Sequence, residues 1–232
     1  MTPRRIILAG ILTLCLSVQG GTISGTVTAK GKDGLDAGGE SGKYDSRKLK
    51  FAERVNYAAL KDFVVFIEGH VDGVTNTAPS TTKVETSRNK VTQEGAQFSP
   101  HVLPVMVGTT VEWPNNDRIY HNVFSMSDPK PFDLGLYKSG DSKSITFDKL
   151  GRIDVFCSIH STMSCIVLVL ENPLFARADD RGNFTIPNVP AGKYKLKAWH
   201  ERLPMQEKEI TVPASGEIKV DFQLGITGLP KI

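Results

Sequence analysis

The segment from residue 157 to residue 163 reads CSIHSTM, so a thiol, an imidazole and a thioether recur at intervals of three residues. A second imidazole, that of His121, lies 36 residues before Cys157. One thiolate, two imidazoles and a weak axial thioether are the ligands of trigonal copper sites that transfer single electrons. Three donors so close in sequence fit one tight loop, whereas the fourth requires a separate strand. The spacing therefore predicts a β-sheet framework that carries a copper site of His121, Cys157, His160 and Met163.

The distribution of apolar residues predicts an all-β protein. Short alternating or apolar runs predict strands at residues 22–28, 62–68, 102–107, 111–113, 120–125, 141–147, 153–157 and 166–170, with further short strands between 183 and 222. In the strand before the ligand loop, Ile153, Val155 and Cys157 fall on one face, which directs the thiol inward. Pro104 lacks a backbone donor, so its strand is expected at a sheet edge.

The first 20 residues are typical of a secretory signal peptide. Arg4 and Arg5 precede an apolar run at residues 6–18, and Gly20 provides a small residue for cleavage. The apolar run is shorter than the roughly 20 residues that a membrane-spanning helix requires. We therefore expect a periplasmic or secreted protein with no stable membrane insertion.

The charge balance argues against a nucleic-acid partner. The chain has 28 basic and 25 acidic residues, and its formal charge of +3 falls to +1 when Arg4 and Arg5 leave with the signal peptide. Binding to a phosphate backbone requires a clustered basic surface, which this balance does not favour. The apolar fraction of 40% is that of an ordinary globular protein.

The segment that spans roughly residues 93–171 resembles the cupredoxin family. The two-residue gaps between Cys157, His160 and Met163 are similar to the short ligand loop of amicyanin. Residues 107–123 are similar to the plastocyanin segment that bears the first histidine ligand. The resemblance implies a Greek-key β-sandwich that holds one type 1 copper ion.

The same resemblance implies roles for individual residues. His121 and His160 would bind copper through imidazole nitrogens. Cys157 would bind as the thiolate and Met163 as the axial ligand. The Asn122 side chain would join the two ligand segments by hydrogen bonds, which orients the ligands. A redox protein such as a c-type cytochrome or a dehydrogenase would dock over the exposed edge of His160.

The last third of the chain resembles a second kind of β-sandwich. Residues 179–224 are similar to a carboxypeptidase regulatory-like, transthyretin-type domain. The residues that carry this similarity are Asp180, Gly182, Phe184, Ile186, Val189, Pro190, Gly192, Tyr194 and Leu196. A β-sandwich runs to about 100 residues in the immunoglobulin case, so strands near 22–28 and 63–67 are expected to complete this one. The whole chain resembles exported bacterial proteins of the methylamine utilisation or plastocyanin-like group, which join both parts.

These inferences divide the chain into four parts. Residues 1–20 are the signal peptide, and residues 21–76 supply N-terminal strands that complete the second sandwich. Residues 77–171 form the copper domain and residues 172–232 the second sandwich. The second sandwich is interpreted as a rigid spacer.

Three other interpretations of the ligand residues stay open. Cys157 and Cys165 are the cysteines left after signal cleavage, and an oxidising compartment favours a disulfide between them. Such a bridge would leave a metal-free structural module, because Cys157 would no longer be a thiolate. A copper carrier or storage protein would use the same four ligands without electron transfer. Zinc is disfavoured, since it usually takes Asp, Glu, Cys or His rather than Met as its fourth ligand.

The expected function is the transfer of single electrons between redox partners, and no enzymatic activity is predicted. The sequence has no phosphate-binding glycine loop and no second copper cluster for oxygen or nitrite chemistry. Of the other histidines, His101 and His200 are expected to have structural roles, and His70 is expected to be solvated. Trp113 is expected to lie in the core.

Overall fold

The computed structural model describes residues 20–31, 56–74 and 89–225. In these ranges the chain forms strands and a single 3-10 turn, Tyr57–Ala59. The prediction of an all-β fold is therefore confirmed. Apart from Gly20, the predicted signal peptide lies outside the described residues. Within the described ranges no helix is long and apolar enough to cross a membrane.

Seventeen strands follow one another along the described part of the chain. In chain order they are β1 (Gly21–Lys30), β2 (Val64–Ile67), β3 (Thr92–Glu94), β4 (Gln97–Ser99), β5 (Val102–Met106), β6 (Thr109–Pro114), β7 (His121–Ser125), β8 (Phe132–Tyr137), β9 (Ser142–Phe147), β10 (Gly151–Phe156), β11 (Ser164–Leu170), β12 (Phe175–Arg177), β13 (Asn183–Val189), β14 (Gly192–His200), β15 (Leu203–Val212), β16 (Glu217–Lys219) and β17 (Phe222–Gly225). They assemble into two units. We call the unit built from β3 to β11 the central sandwich and the unit built from the other strands the flanking sandwich.

One layer of the central sandwich is a five-stranded sheet in the order β5-β11-β10-β7-β8. The pairs β6–β9 and β3–β4 supply the other side chains of its core. Trp113, Phe147 and Val155 meet in that core and are fully buried, which confirms the prediction for Trp113. β5 lies at the edge of the sheet, as expected from Pro104.

The sequence pattern does not predict β8, which forms the other edge of this sheet. An edge strand exposes most of its side chains, and only Tyr137 at its end is buried. Gly135 adopts a left-handed φ of 65° within the strand, a conformation that glycine adopts without steric cost. The strand therefore lacks the clear alternation that marks a half-buried strand. Its last residue, Tyr137, lies opposite His121 in the β7–β8 pair.

β11 is buried on both faces. Its inward side chains, Cys165 and Val167 among them, enter the core of the central sandwich. Its outward side chains form a separate apolar cluster with residues of the flanking sandwich, which we call the interdomain cluster. The interdomain cluster comprises Val64, Val102, Ile166, Leu168 and Leu170, with Phe66, Phe175 and Trp199 packed against it. Burial on both faces explains why the strand reads as a continuous apolar run.

Strands from both ends of the described chain form the flanking sandwich. β1 pairs antiparallel with β13 and parallel with β16 and β17. The opposite sheet has the order β12-β2-β14-β15. Ile23, Ile67, Leu196 and Phe222 share one buried cluster between the sheets. The two N-terminal strands thus lie in the same sheets as the C-terminal ones, whereas the domain boundaries stay predictions.

Candidate metal centre

Three potential metal ligands converge at one end of the central sandwich. The Nδ1 atoms of His121 and His160 are 3.0 Å apart. The Cys157 Sγ atom lies 4.0 Å from His121 Nδ1 and 3.7 Å from His160 Nδ1. His121 and Cys157 are buried, and His160 is partly exposed. Within the described ranges, no other three histidine, cysteine or acidic side chains form such a group.

The separations between these atoms fit a single small metal ion. A metal about 2.0 Å from each nitrogen and about 2.3 Å from a sulfur holds its ligand atoms roughly 3 to 4 Å apart. The thiol and the two imidazoles direct their potential ligand atoms towards one point. A thiolate together with imidazoles is a donor set that suits copper. The residues therefore fit the predicted cofactor.

The loop between β10 and β11 delivers two of these residues and is closed by its own backbone. The Met163 N–H donates to the His160 carbonyl at 3.0 Å, and the Cys157 N–H donates to the Met163 carbonyl at 3.2 Å. The loop therefore returns Met163 to a position beside Cys157. Met163 is 1% exposed and packs in the same core cluster as Cys157. Its role as an axial ligand stays a prediction.

Asp117 orients the ring of His121, which is the first residue of β7. The Asp117 Oδ2 atom lies 2.7 Å from His121 Nε2. A carboxylate oxygen accepts the Nε2–H, which selects the tautomer that leaves the Nδ1 lone pair free. That lone pair faces the ligand atoms of Cys157 and His160.

The Asp117 carboxylate is itself held by backbone amides. The N–H groups of Gly95 and Ala96 donate to it at 2.7 and 2.9 Å. Burial raises the pKa of Asp117, but hydrogen bonds from Ala96, His121 and Gly95 together hold that pKa below its usual range. Sequence reasoning missed Asp117, because its amide partners lie in the β3–β4 hairpin, 21 and 22 residues upstream. The only signal in the sequence is an acidic residue four positions before a histidine.

Asn122 joins the two ligand segments. Its Oδ1 atom accepts the Ser158 N–H at 2.8 Å, and its Nδ2 atom donates to Asp133 Oδ1 at 2.6 Å. Asn122 follows the candidate ligand His121 along the chain, and Ser158 follows the thiol of Cys157. The hydrogen bond expected from the family resemblance is therefore present, and it fixes the β10–β11 loop against β7.

The two cysteines in the described ranges are both free and buried. Cys165 lies on β11 opposite Val155, within the core of the central sandwich. Burial, with a smaller contribution from the Asp154 charge, raises the pKa of the Cys165 thiol well above its usual range. Cys165 therefore acts as a small apolar side chain. The Cys157 thiol is unbridged and faces the two histidines.

Of the other described histidines, His101 and His200 make structural contacts and His70 is exposed, as predicted. His70 is exposed beside Asp72. His200 is buried, and its ring packs against Phe63 with the centroids 5.0 Å apart. His101 forms hydrogen bonds to both sandwiches.

The two sandwiches match different family models. Residues 85–170 match the family model of copper binding proteins of the plastocyanin/azurin family. The central sandwich is therefore similar to the domains of this copper-binding family. Residues 175–220 match the model of polysaccharide lyase family 4, domain II. This match corrects the predicted resemblance to a carboxypeptidase regulatory-like domain, which rested on turn and alternation patterns that many sandwiches share.

Solved structures are similar to about a third of the chain. A copper-containing nitrite reductase from Thermus scotoductus shows 34% identity over 35% of this chain and 22% of its own, with a TM-score of 0.34. A purple cupredoxin from Nitrosopumilus maritimus shows 27% identity over 34% of this chain and 97% of its own, with a TM-score of 0.32. A Cu(I) amicyanin variant shows 26% identity over 34% of this chain and 79% of its own, with a TM-score of 0.33. The chain thus spans less than a quarter of the nitrite reductase. No curated protein matches the chain.

Proposed function

We propose that this protein is an exported type 1 copper protein that transfers single electrons between redox partners. The observation that carries the proposal is the convergence of Cys157 Sγ with the Nδ1 atoms of His121 and His160 in a cupredoxin-type domain. A bound copper ion would supply a one-electron couple between Cu(II) and Cu(I). The three converging residues would hold it, with Met163 as a weaker fourth ligand.

The support around the ligands favours electron transfer over a looser binding role. Asp117 fixes the ring of His121, and Asn122 ties the ligand loop to β7. The Cys157 side chain extends from the end of a strand in the middle of the five-stranded sheet. Ligands held this firmly keep nearly the same positions in both oxidation states, so little free energy is spent on their rearrangement during transfer.

The partly exposed edge of His160 is the proposed docking point for a redox partner. Exposed apolar side chains adjoin the ligands in sequence, with Tyr120 at 57% and Ile159 at 51% exposure. Leu136, opposite Asn122 in the β7–β8 pair, is also exposed. Redox encounters use small, transient interfaces, and such a surface suits a c-type cytochrome or a dehydrogenase. The near-neutral charge predicts weak dependence of docking on ionic strength.

The test of this proposal is a visible absorption titration of the full chain with Cu(II). We expect an intense thiolate-to-copper charge-transfer band that saturates at one copper ion per chain. A faint spectrum with d–d bands alone would contradict the proposal. Counting thiols on the metal-free protein would then establish whether a Cys157–Cys165 disulfide has formed and supports the structural module instead.

Voltammetry distinguishes the shuttle from a copper carrier that uses the same ligands. A shuttle gives a reversible Cu(II)/Cu(I) wave, because its ligand set serves both oxidation states. A carrier gives an irreversible response together with tight affinity for Cu(I) alone. The second result would keep the ligands of this account and overturn the electron-transfer role.

Export is tested separately on protein recovered from a cell fractionation. We expect the mature chain in the periplasm or the medium, with its N-terminus directly after Gly20. Recovery in the cytoplasm with residues 1–20 intact would contradict this part of the proposal.

A further inference from the structure

We infer that the flanking sandwich positions the metal-ligand loop through a bridge from Glu201 to His101, with His101 as the positioning residue. The inference extends the proposed function to a residue outside the ligand set. It rests on that function only for the measurements made on the copper-loaded protein. The bridge consists of a histidine that contacts the end of the loop on one side and a carboxylate of the flanking sandwich on the other.

His101 contacts the start of β11 in two ways. Its backbone carbonyl accepts the Ile166 N–H at 2.8 Å. Its ring Nδ1 atom lies 3.2 Å from the carbonyl oxygen of Ser164, which directly follows Met163. The main chain and the side chain of one residue thus hold the segment that leaves the ligand loop.

The His101 ring contacts β11 at Ser164, which lies before the hydrogen-bonded pairing of β11 with β5 begins. The parallel pairing of β5 with β11 starts at Val102 and Ile166. Ser164, the first residue of β11, lies before this pairing begins. The His101 ring therefore supplies on that side the hydrogen bond that the ladder does not. Met163 is one residue away, and its carbonyl accepts the Cys157 N–H.

The other ring nitrogen of His101 reaches the flanking sandwich. Its Nε2 atom lies 3.2 Å from Glu201 Oε2, in the turn between β14 and β15. The carbonyl and the carboxylate both accept hydrogen bonds, and the ring lies between them with one nitrogen within hydrogen-bond distance of each. The two side chains are 37% and 27% exposed, so water screens the charge and the bridge adds little to global stability. Its effect is therefore local.

The turn that carries Glu201 is anchored to the central sandwich independently. The Arg152 guanidinium donates to the Glu201 carbonyl at 3.3 Å and lies 6.0 Å from the centre of the Trp199 ring. Trp199 packs against the interdomain cluster. The apolar packing of Trp199 holds this turn whether or not Arg152 is present, so the Glu201 carboxylate restricts where the His101 ring lies. Arg152 touches the same turn without touching the ligand loop, which makes it a matched control.

Amide hydrogen exchange of the metal-free full chain tests this inference without copper. In His101→Ala, we expect the amides of Cys157 and Met163 to exchange about threefold to tenfold faster, as for the loss of one hydrogen bond. Glu201→Ala should give a smaller increase at the same amides. The double variant should match His101→Ala alone, because Glu201 acts through the ring. Arg152→Ala should leave both amides unchanged.

Three outcomes of this experiment would overturn the inference. One is unchanged exchange at Cys157 and Met163 in His101→Ala. Another is an equal increase in Arg152→Ala, which would show that general docking of the flanking sandwich, rather than the bridge, protects the loop. Additive effects of His101→Ala and Glu201→Ala would separate the two residues and contradict the bridge.

The copper-loaded protein provides the second readout. We expect His101→Ala to shift the reduction potential and the relative band intensities, with Arg152→Ala unchanged on both. An intense band in every variant with identical potentials would overturn positioning while leaving the proposed function intact. A wild-type chain with no intense band would instead overturn the proposed function, and the exchange data would still decide whether His101 holds the loop.

Discussion

The two sandwiches place their buried polar groups differently. At one end of the central sandwich, two imidazoles and a thiol converge. Asp117 orients the ring of His121, and Asn122 holds the loop that follows Cys157. The flanking sandwich buries His200, which packs on the Phe63 ring and accepts the Arg202 N–H at 3.1 Å. The first arrangement leaves lone pairs directed at a shared point, whereas the second packs and hydrogen-bonds a single ring among its neighbours.

This difference shows which part of a molecule built almost entirely of strands holds the potential metal ligands. The candidate ligands lie at the loop ends of the central sandwich, because loops can place several donors together while the sheet keeps them rigid. The flanking sandwich carries no such group in its described residues. We infer that its contribution is mechanical, since it covers the outer face of β11 and reaches the segment after the ligand loop through Glu201 and His101.

The strongest test of that mechanical contribution is Leu168→Ala, at the outward face of β11. Leu168 is buried in the interdomain cluster, so we expect a loss of about 2–5 kcal/mol in the free energy of unfolding. We also expect a single unfolding transition to separate into two, because the sandwiches lose their shared cluster. Urea unfolding followed by tryptophan fluorescence measures both effects.

Leu136→Ala is the control for this substitution. Leu136 lies on β8 and is 56% exposed, so the same truncation should change stability by less than about 0.5 kcal/mol. Equal losses for the two variants would mean that the interdomain cluster contributes nothing of its own.

A medium effect is expected when the orientation of a ligand is disturbed. Asp117→Asn removes the charge and one of the two oxygen acceptors that serve Gly95, Ala96 and His121. Loss of such a partner costs about 10–100-fold in metal affinity. Competition with a chelator of known affinity measures the change, while the far-UV spectrum should stay that of the parent.

Asp148→Asn serves as the comparison for Asp117→Asn. Asp148 is exposed and bonds only to Lys130 at 2.9 Å among the described side chains. Its replacement should leave copper affinity unchanged. A comparable loss in both variants would point to a general effect of charge rather than to ring orientation.

The sequence predicted those parts of the fold that depend on local patterns, such as alternation along a strand or the position of a proline. The alternation of Ile153, Val155 and Cys157 places the thiol inward, and all three side chains are buried. The spacing of His160 and Met163 after the thiol reflects one tight loop, so both were identified as candidates. The edge position of β5 followed from Pro104, a residue that cannot donate within a sheet.

The features that the sequence did not predict depend on contacts between segments that are distant along the chain. Asp117 is recognisable only once the β3–β4 hairpin brings Gly95 and Ala96 to its carboxylate. The bridge of His101 to Glu201 joins residues 100 positions apart. No periodicity or motif encodes such a pairing, because each residue alone resembles an ordinary surface side chain. The class predicted for the flanking sandwich was wrong for a different reason. Turns and alternation do not distinguish one β-sandwich from another.

The smallest predicted effect concerns pH and the flanking sandwich. Burial lowers the pKa of His200 from its ordinary value of 6.5. As the pH falls below about 6.5, the unfolded chain takes up this proton before the folded chain does, so the free energy of unfolding decreases. The decrease ends once the pH passes below the lowered pKa of the folded state. Above this window His200 contributes no pH dependence.

His200→Gln should remove that part of the acid destabilisation in the metal-free protein. Urea unfolding at a series of pH values from 7.5 to 4.5 measures it, with about half-unit steps. His70→Gln, at an exposed position, should retain the wild-type slope. A wild-type slope in His200→Gln would assign the acid sensitivity to other groups.

The comparison of the two buried cysteines tests the central claim most directly. Cys157 and Cys165 are both free and buried in the same core cluster, but only Cys157 faces the two histidines. The measurement is the visible absorption spectrum of Cys157→Ala and Cys165→Ala after addition of one equivalent of Cu(II). We predict that Cys157→Ala loses the intense charge-transfer band while its far-UV spectrum stays that of a folded β protein, and that Cys165→Ala keeps the band. An intense band in Cys157→Ala would contradict the assignment of this thiol as the copper ligand.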